Sequence, residues 1–175
     1  MAAIAERKLS LEEFHARYDG EKPYVEFWNG EAVAKAMPTR LHSLIQHVLV
    51  QLLFALGYDA GQEITIKLVP DYQPIPDVIA AEGSLENPCP TSPFEVAIEI
   101  LSPEDSLARV NRKCQLYAAW GIRQIVVVDP KDRAVSVFEN GALHQSDVIV
   151  RRGEQAASTE TLWAEVDRLL QRPGC

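Results

Sequence analysis

Cysteine is scarce in this chain of 175 residues, and Cys89, Cys114 and Cys175 lie far apart. Three cysteines without a CxxC pair or a neighbouring histidine argue against both a disulfide framework and a structural zinc site. No stretch approaches the roughly 18 apolar residues of a membrane span, and the first residues lack the apolar core of a signal peptide. We therefore expect a cytoplasmic protein without membrane contact.

Basic residues are also few: the chain has 17 Lys and Arg against 25 Asp and Glu, which gives a net charge of -8. This balance excludes a surface that binds nucleic acid indiscriminately through its phosphates, so any such contact must be local. The candidate basic cluster comprises Arg109, Arg112, Lys113 and Arg123, with Arg40, Arg151 and Arg152 further away. A solvated helix face balanced by Glu104 and Asp105 explains the same residues equally well.

The size and composition of the chain predict one domain over residues 1–175. A content of 47% apolar residues is enough for one hydrophobic core at this length but seldom for two. Neither internal repeats nor low-complexity segments are present.

In the first half of the chain, short motifs mark the ends of the predicted elements. Ser10 and Glu13 have capping-box spacing, and Asn29-Gly30 is typical of a tight hairpin turn. Apolar residues at steps of three and four indicate a long helix that Gly57 ends. The predicted elements are a helix from Ser10 towards Arg17, a hairpin of Tyr24–Trp28 and Glu31–Ala36, a helix over Leu41–Leu56, and strands at Ile64–Leu68 and Asp77–Ala81.

In the second half, a strand, a helix and a strand follow one another within a length typical of a parallel, right-handed crossover unit. The predicted elements are a strand at Phe94–Leu101, a helix from about Leu107 closed by Gly121, strands at Gln124–Asp129, Ala134–Glu139 and Asp147–Val150, and a helix over Thr159–Gln171. Asn140 and Gly141 are predicted to turn between the last two strands. The fold class is α/β or α+β, with a mixed central sheet flanked by helices.

Two acidic residues occur in segments that should be buried. The strand FEVAIEIL carries Glu99, and the segment IPDVIA carries Asp77. An ionised carboxylate in such a place needs a partner, which is either a metal ion or a basic side chain. Strand alternation puts Glu99 on the face shared with Ala97 and Leu101. The helix that follows supplies Lys113, whose stem borders the inner face of that helix.

Asp, Glu and Lys at one end of a sheet suggest phosphodiester hydrolysis. Carboxylate oxygens suit Mg²⁺, and a lysine with a lowered pKa orients or deprotonates the attacking water. The alternative is structural: Glu99 and Lys113 form only an internal ion pair, and Asp77 caps a turn after Pro76. Ser102 is predicted as a helix N-cap rather than a nucleophile.

A series of motifs between Leu11 and Phe138 resembles the Uma2 family, a widespread bacterial group placed in the PD-(D/E)XK nuclease superfamily. The motifs are YVEFWNGE (24–31), MPTRLH (37–42), IPDV (75–78), IEILSPED (98–105), KCQLYAAWGIRQ (113–124) and VVDP (127–130). The resemblance implies a restriction-endonuclease-like fold and hydrolysis of DNA. The order and spacing of these motifs are together more specific than any single motif.

The resemblance also implies roles for individual residues. Asp77 and Glu99 would bind Mg²⁺, with Mn²⁺ as a substitute, Lys113 would be the active-site lysine, and Glu26 an auxiliary acid. In the superfamily pattern the lysine stands two residues after the glutamate, where this chain has Leu101. The family resemblance implies that the lysine has moved to the next helix as Lys113. His42 matches a family histidine, for which we favour a structural role at the helix start over a role in the site.

Three functional hypotheses follow. The first is a Mg²⁺-dependent endonuclease that cuts DNA with a metal-activated water. The second is a noncatalytic, dimeric module of the same fold, associated with nucleic acid or protein partners. The third is a small-molecule binder with a structural ion-pair core and no metal affinity. Because cutting two strands requires two active sites, we expect a symmetric homodimer.

Overall fold

A computed structural model describes residues 8–20 and 24–171 of the chain. Residues 1–7, where no signal peptide is predicted, and Cys175 lie outside the described residues. The helices are α1 (Leu11–Tyr18), α2 (Arg40–Ala55), α3 (Leu107–Ala119) and α4 (Thr159–Leu170). The strands are β1 (Val25–Trp28), β2 (Glu31–Ala34), β3 (Asp59–Gln62), β4 (Tyr72–Gln73), β5 (Val78–Ala81), β6 (Val96–Ile100), β7 (Gln124–Asp129), β8 (Ala134–Glu139), β9 (Ala142–Gln145), β10 (Val148–Arg152) and β11 (Gln155–Ser158).

The central sheet has six strands in the order β3-β5-β6-β7-β8-β9. Only β6 and β7 are parallel, and α3 connects them, as predicted for the crossover unit. All other neighbours in this sheet are antiparallel. Two smaller sheets, β2-β1-β4 and β10-β11, lie beside it. The predicted mixed α+β class with a central mixed sheet and flanking helices is confirmed.

Side chains from the two faces of the central sheet enter two separate cores. Strand β6 is buried at all five positions, and alternation sends Val96, Ile98 and Ile100 into the core with α2 and α4. Ala97 instead packs in the core with α3. Glu99, between Ile98 and Ile100, therefore points to the α3 face, as its place in the alternation predicts.

Capping residues determine where the helices begin. Ser10 and Glu13 form the predicted capping box of α1. Thr39 caps α2 through the backbone N–H of His42. For α3 the predicted cap is wrong, because Ser106, not Ser102, accepts the N–H of Arg109. The hydroxyl of Ser102 instead donates to the carboxylate of Asp105 at 2.8 Å, inside the turn that precedes the helix.

The strand predicted at Ile64–Leu68 is also wrong. Strand β3 ends at Gln62, and Glu63 has a positive φ of 53°, which turns the chain out of the sheet. The N–H of Ile66 donates to the carbonyl of Pro74, and that of Lys67 to Pro90. The alternation reflects burial alone, since Ile64, Ile66 and Leu68 all pack in the core on the α3 face.

The turn at Asn140-Gly141 is present but connects different strands from those predicted. It joins β8 to β9 at Ala142–Gln145, a polar strand whose weak apolar pattern gave no prediction. The segment predicted as Asp147–Val150 lies within β10, which pairs with β11 in a separate sheet. Gly57 ends α2 at a φ of 82°, as predicted. None of the helices in the described ranges is long and apolar enough to cross a membrane.

Candidate functional site

A cavity of about 230 Å³ opens where the ends of β5 and β6 meet β2, α2 and α3. The four residues predicted for the site, Glu26, Asp77, Glu99 and Lys113, all line it. Lys35 and His42 line it as well. The pairing of Val78 with Ile98 brings the neighbouring residues Asp77 and Glu99 to the same ends of adjacent strands. The fold thus gathers acids that are distant in the sequence.

Asp77 is buried and its carboxylate accepts three hydrogen bonds. Oδ1 lies 2.8 Å from Lys35 Nζ and 3.2 Å from His42 Nε2, and Oδ2 accepts the N–H of Ile100 at 2.6 Å. Burial opposes ionisation, but the hydrogen bond from His42 and the charge of Lys35 outweigh it and hold the pKa of Asp77 well below its usual range. Asp77 therefore links two strands and does not cap a turn after Pro76.

Glu99 is buried on the α3 face between two donors. The hydroxyl of Tyr117 donates to Oε1 at 2.6 Å, and Lys113 Nζ donates to Oε2 at 2.8 Å. Burial raises the pKa of Glu99 to about 7, although the charge of Lys113 opposes this rise. Glu99 is thus an acid that the surrounding apolar core disfavours in its charged form.

Lys113 Nζ lies between two acids, 2.8 Å from Glu99 and 2.9 Å from Glu26 Oε1. Burial acts to lower the pKa of Lys113, but the charges of Glu26 and Glu99 outweigh it and raise that pKa above its ordinary value. This shift is opposite in direction to the lowered pKa expected from the sequence for Lys113. Lys113 is a charged donor that holds two carboxylates in place.

Glu26 connects this site to the small sheet that contains β1. Its Oε1 accepts both Lys113 and the N–H of Ile75, the latter at 2.8 Å. Its Oε2 accepts the indole N–H of Trp28 at 3.0 Å. With three donors and an exposed fraction of 3%, Glu26 belongs to the buried framework of the site.

Lys35 is a site residue that the sequence analysis missed. Its Nζ donates to the carbonyl of Ile75 and to Asp77, both at 2.8 Å. The signal that would have revealed it is a single basic residue among small apolar ones in the segment EAVAKAM. His42 is likewise at the site, beside Asp77, and not only at the helix start as favoured from the sequence.

We call Glu26, Lys35, Asp77, Glu99 and Lys113 the charge cluster. With all five ionised, three carboxylates face two ammonium groups, which leaves one excess negative charge when His42 is neutral. A buried excess charge is costly, and a cation in the cavity would offset it. The sign of the cluster therefore favours a positively charged ligand.

The donors of the cavity are consistent with Mg²⁺. This ion is commonly held by one or two carboxylates, with waters and substrate phosphates completing its shell, and Asp77 and Glu99 offer two such groups. Within the described ranges, no group of three or more His, Cys, Asp or Glu side chains is arranged to hold a metal ion. A site built on two carboxylates still fits Mg²⁺, because this ion keeps several waters.

Comparison with solved structures identifies two similar chains. A crystal structure of a "putative nuclease belonging to DUF820" from Anabaena variabilis superimposes with a TM-score of 0.76 and 22% identity, covering 90% of this chain and 99% of that one. It shares the fold. The cryo-EM structure of a DrdV-DNA complex matches with a TM-score of 0.39 and 16% identity, over 74% of this chain and 11% of that one.

A comparison with curated protein sequences gives no significant match. The sequence model of the Uma2 family, described as "Putative restriction endonuclease", matches residues 11–169. That span contains every residue of the charge cluster. The chain therefore belongs to the Uma2 family, as its motifs predicted.

Proposed function

We propose that this protein is a Mg²⁺-dependent endonuclease that hydrolyses phosphodiester bonds in DNA, with Mn²⁺ able to replace Mg²⁺. The observation that carries the proposal is the charge cluster itself. Three buried carboxylates and two lysines line one open cavity, and the carboxylates outnumber the ammonium groups when Glu99 is ionised and His42 is neutral. A core that needed only an ion pair would be expected to balance its charges.

Asp77 and Glu99 are the residues that would hold the ion. Asp77 is kept ionised by Lys35 and His42, so it offers a charged ligand at neutral pH. Burial disfavours the ionised form of Glu99, and a bound cation would favour that form and so make Glu99 a better ligand. When bound, the ion supplies Lewis-acid chemistry: it neutralises charge on the phosphate and makes a nearby water more acidic.

The two lysines would act through charge and position. Lys113 holds Glu26 and Glu99 in fixed orientations and remains an ammonium group in the lining of the cavity. Lys35 lines the same cavity beside Asp77. Two fixed positive charges in the cavity would stabilise the extra negative charge of a phosphoryl transition state.

Substitution of Asp77 by asparagine tests this proposal. The change keeps the size of the side chain and an acceptor for the N–H of Ile100, but it removes the charge. We expect calorimetric titration with Mg²⁺ or Mn²⁺ to show an affinity at least about 100-fold weaker than in the wild type. Plasmid cleavage in the same buffers should fall to background.

The matched control is Glu104→Gln, which removes one negative charge from an exposed residue lining the same cavity. It should bind metal and cut DNA as the wild type does. If the wild type neither binds metal nor cuts, the second hypothesis, a noncatalytic module that keeps the fold, replaces this proposal. Equal losses in both variants would indicate that only the overall charge of the cavity matters.

We also propose that the protein acts as a symmetric homodimer. The argument is one of function: a cut through both strands of a duplex requires two active sites, and a two-fold axis presents two copies to strands of opposite direction. Sedimentation or light scattering at micromolar concentration should give twice the chain mass of 19.5 kDa. A monomeric mass at that concentration would refute it.

A further inference from the structure

Outside the cavity, the side chain of Arg112 is held by two aromatic rings. Its guanidinium carbon lies 6.0 Å from the centre of the Trp28 ring and 5.5 Å from that of Tyr72. Its Nη2 also donates to the hydroxyl of Tyr72 at 2.6 Å. These contacts restrain an otherwise exposed arginine in one place, which lowers the entropy that it would lose on binding a ligand.

The two rings belong to the framework of the site. Trp28 and Tyr72 are paired across β1 and β4, and their ring centres are 5.9 Å apart. The indole N–H of Trp28 donates to Glu26, which in turn accepts Lys113. The guanidinium of Arg112 is therefore linked to the charge cluster through the ring of Trp28, which contacts both Arg112 and Glu26.

The charge of Arg112 has no acidic counterpart in the described part of the chain. The ion pairs found there do not include it. Asp105, one of the two acids expected to balance this helix face, accepts instead the N–H and the hydroxyl of Ser102. The chain has a net charge of -8, so the unpaired and restrained guanidinium of Arg112 is a local positive site that favours an anionic ligand.

We infer that Arg112 binds the phosphodiester backbone of the nucleic acid, at a phosphate next to the one positioned in the cavity. The inference rests on the proposed function, since it assigns a second contact for the same substrate. Guanidinium has five N–H donors, of which Tyr72 takes one, and its planar edge matches two phosphate oxygens. Arg109, one turn earlier on α3, is exposed and lines the cavity, as Lys113 does, so it adds a second positive charge on this side.

The alternative is that Arg112 only covers the aromatic pair and binds nothing. The two possibilities differ in their salt dependence, because each phosphate contact releases counterions and steepens the fall of affinity with salt concentration. A packing role changes the stability of the protein but not the slope of binding affinity against salt. Salt titration of nucleic-acid binding therefore separates them.

The experiment uses the full chain and a fluorescently labelled 20-base-pair DNA duplex and its single strand, with Ca²⁺ in place of Mg²⁺ because carboxylates bind both ions. We expect Arg112→Ala to weaken binding about tenfold and to lower the slope of log affinity against log salt by about one. Arg112→Lys keeps the charge and should keep the slope. The matched control, Arg123→Ala, removes an exposed charge from a different surface and should change neither quantity.

Tyr72→Phe is the second variant, which keeps the ring and every charge while removing the hydroxyl that holds the guanidinium. It should weaken binding by a smaller factor with the slope unchanged, and it preserves a readout if Arg112→Ala does not fold. Unchanged affinity and slope in Arg112→Ala would overturn the inference. So would a loss confined to the single strand, which would indicate base stacking on the rings.

Failure of this inference and failure of the proposed function give different results. Wild-type protein that binds and cuts, with Arg112→Ala indistinguishable from it, overturns the inference alone. Wild-type protein that binds DNA through Arg112 without cutting supports the inference and contradicts the proposed hydrolysis. Wild-type protein that does not bind DNA at all overturns both.

Discussion

Substituting glutamine for Glu99 is expected to lower the rate of DNA cleavage by at least about 1,000-fold. The same substitution should make the protein more stable relative to the wild type as the pH rises. The folded protein raises the pKa of Glu99 from 4.5 to about 7. Between these values the folded state binds a proton that the unfolded state has lost, so the stability of the wild type falls with rising pH in this window.

The Glu99→Gln variant has no such proton to lose. Between pH 5 and pH 8, the difference in unfolding free energy should shift in favour of the variant by about 2–3 kcal/mol. Urea unfolding in EDTA at both pH values measures this shift. The opposite shift, a variant that is less stable at pH 8 than at pH 5 when each is compared with the wild type, would show that the charge of Lys113 outweighs burial in setting the pKa of Glu99.

Replacement of Lys113 by methionine is expected to have the largest effect on stability. It removes the ammonium group between Glu26 and Glu99 and leaves two buried carboxylates without it. Breaking a buried pair in this way typically lowers the free energy of unfolding by about 3–5 kcal/mol. Denaturant unfolding at pH 8 should show this loss, and the exposed substitution Lys131→Met should change stability by less than about 0.5 kcal/mol.

A double substitution identifies the origin of that loss. If the cost comes from unpaired carboxylates, then Lys113→Met combined with Glu99→Gln should recover about half of it or more, so the two effects will not add. Strict additivity would show instead that methionine disturbs the packing of α3. Cleavage should be absent from both variants, since each lacks a member of the charge cluster.

The sequence predicted those site residues whose burial could be recognised from their neighbours. Glu99 stands in a strand of apolar residues, so its burial followed from its neighbours. The contacts of Lys113 needed the crossover of α3 over the sheet, which the strand, helix and strand pattern supplied. Lys35 follows a short edge strand, where no periodicity distinguishes a buried lysine from an exposed one, and its partner is 42 residues away.

Errors in the fold had a comparable cause. The segment from Ile64 to Leu68 alternates as a strand does because its side chains enter a core, but strand formation also requires a neighbouring backbone. Glu63 breaks the pairing, and the backbone of Ile66 and Lys67 finds partners in proline-rich loops. The direction of the pKa shift of Lys113 was likewise beyond the sequence, since it depends on two acids contributed by separate strands.

The contacts around Glu26 have a consequence for relatives of this protein. Strand β1 belongs to a sheet that has no strand pairing with the central one within the described residues, and Glu26 joins the two through Lys113 and Glu99. These residues therefore act as a structural joint in addition to any chemistry. A relative that had lost nuclease activity would still be selected to keep them, so their presence in a homologue is insufficient to count it among active enzymes.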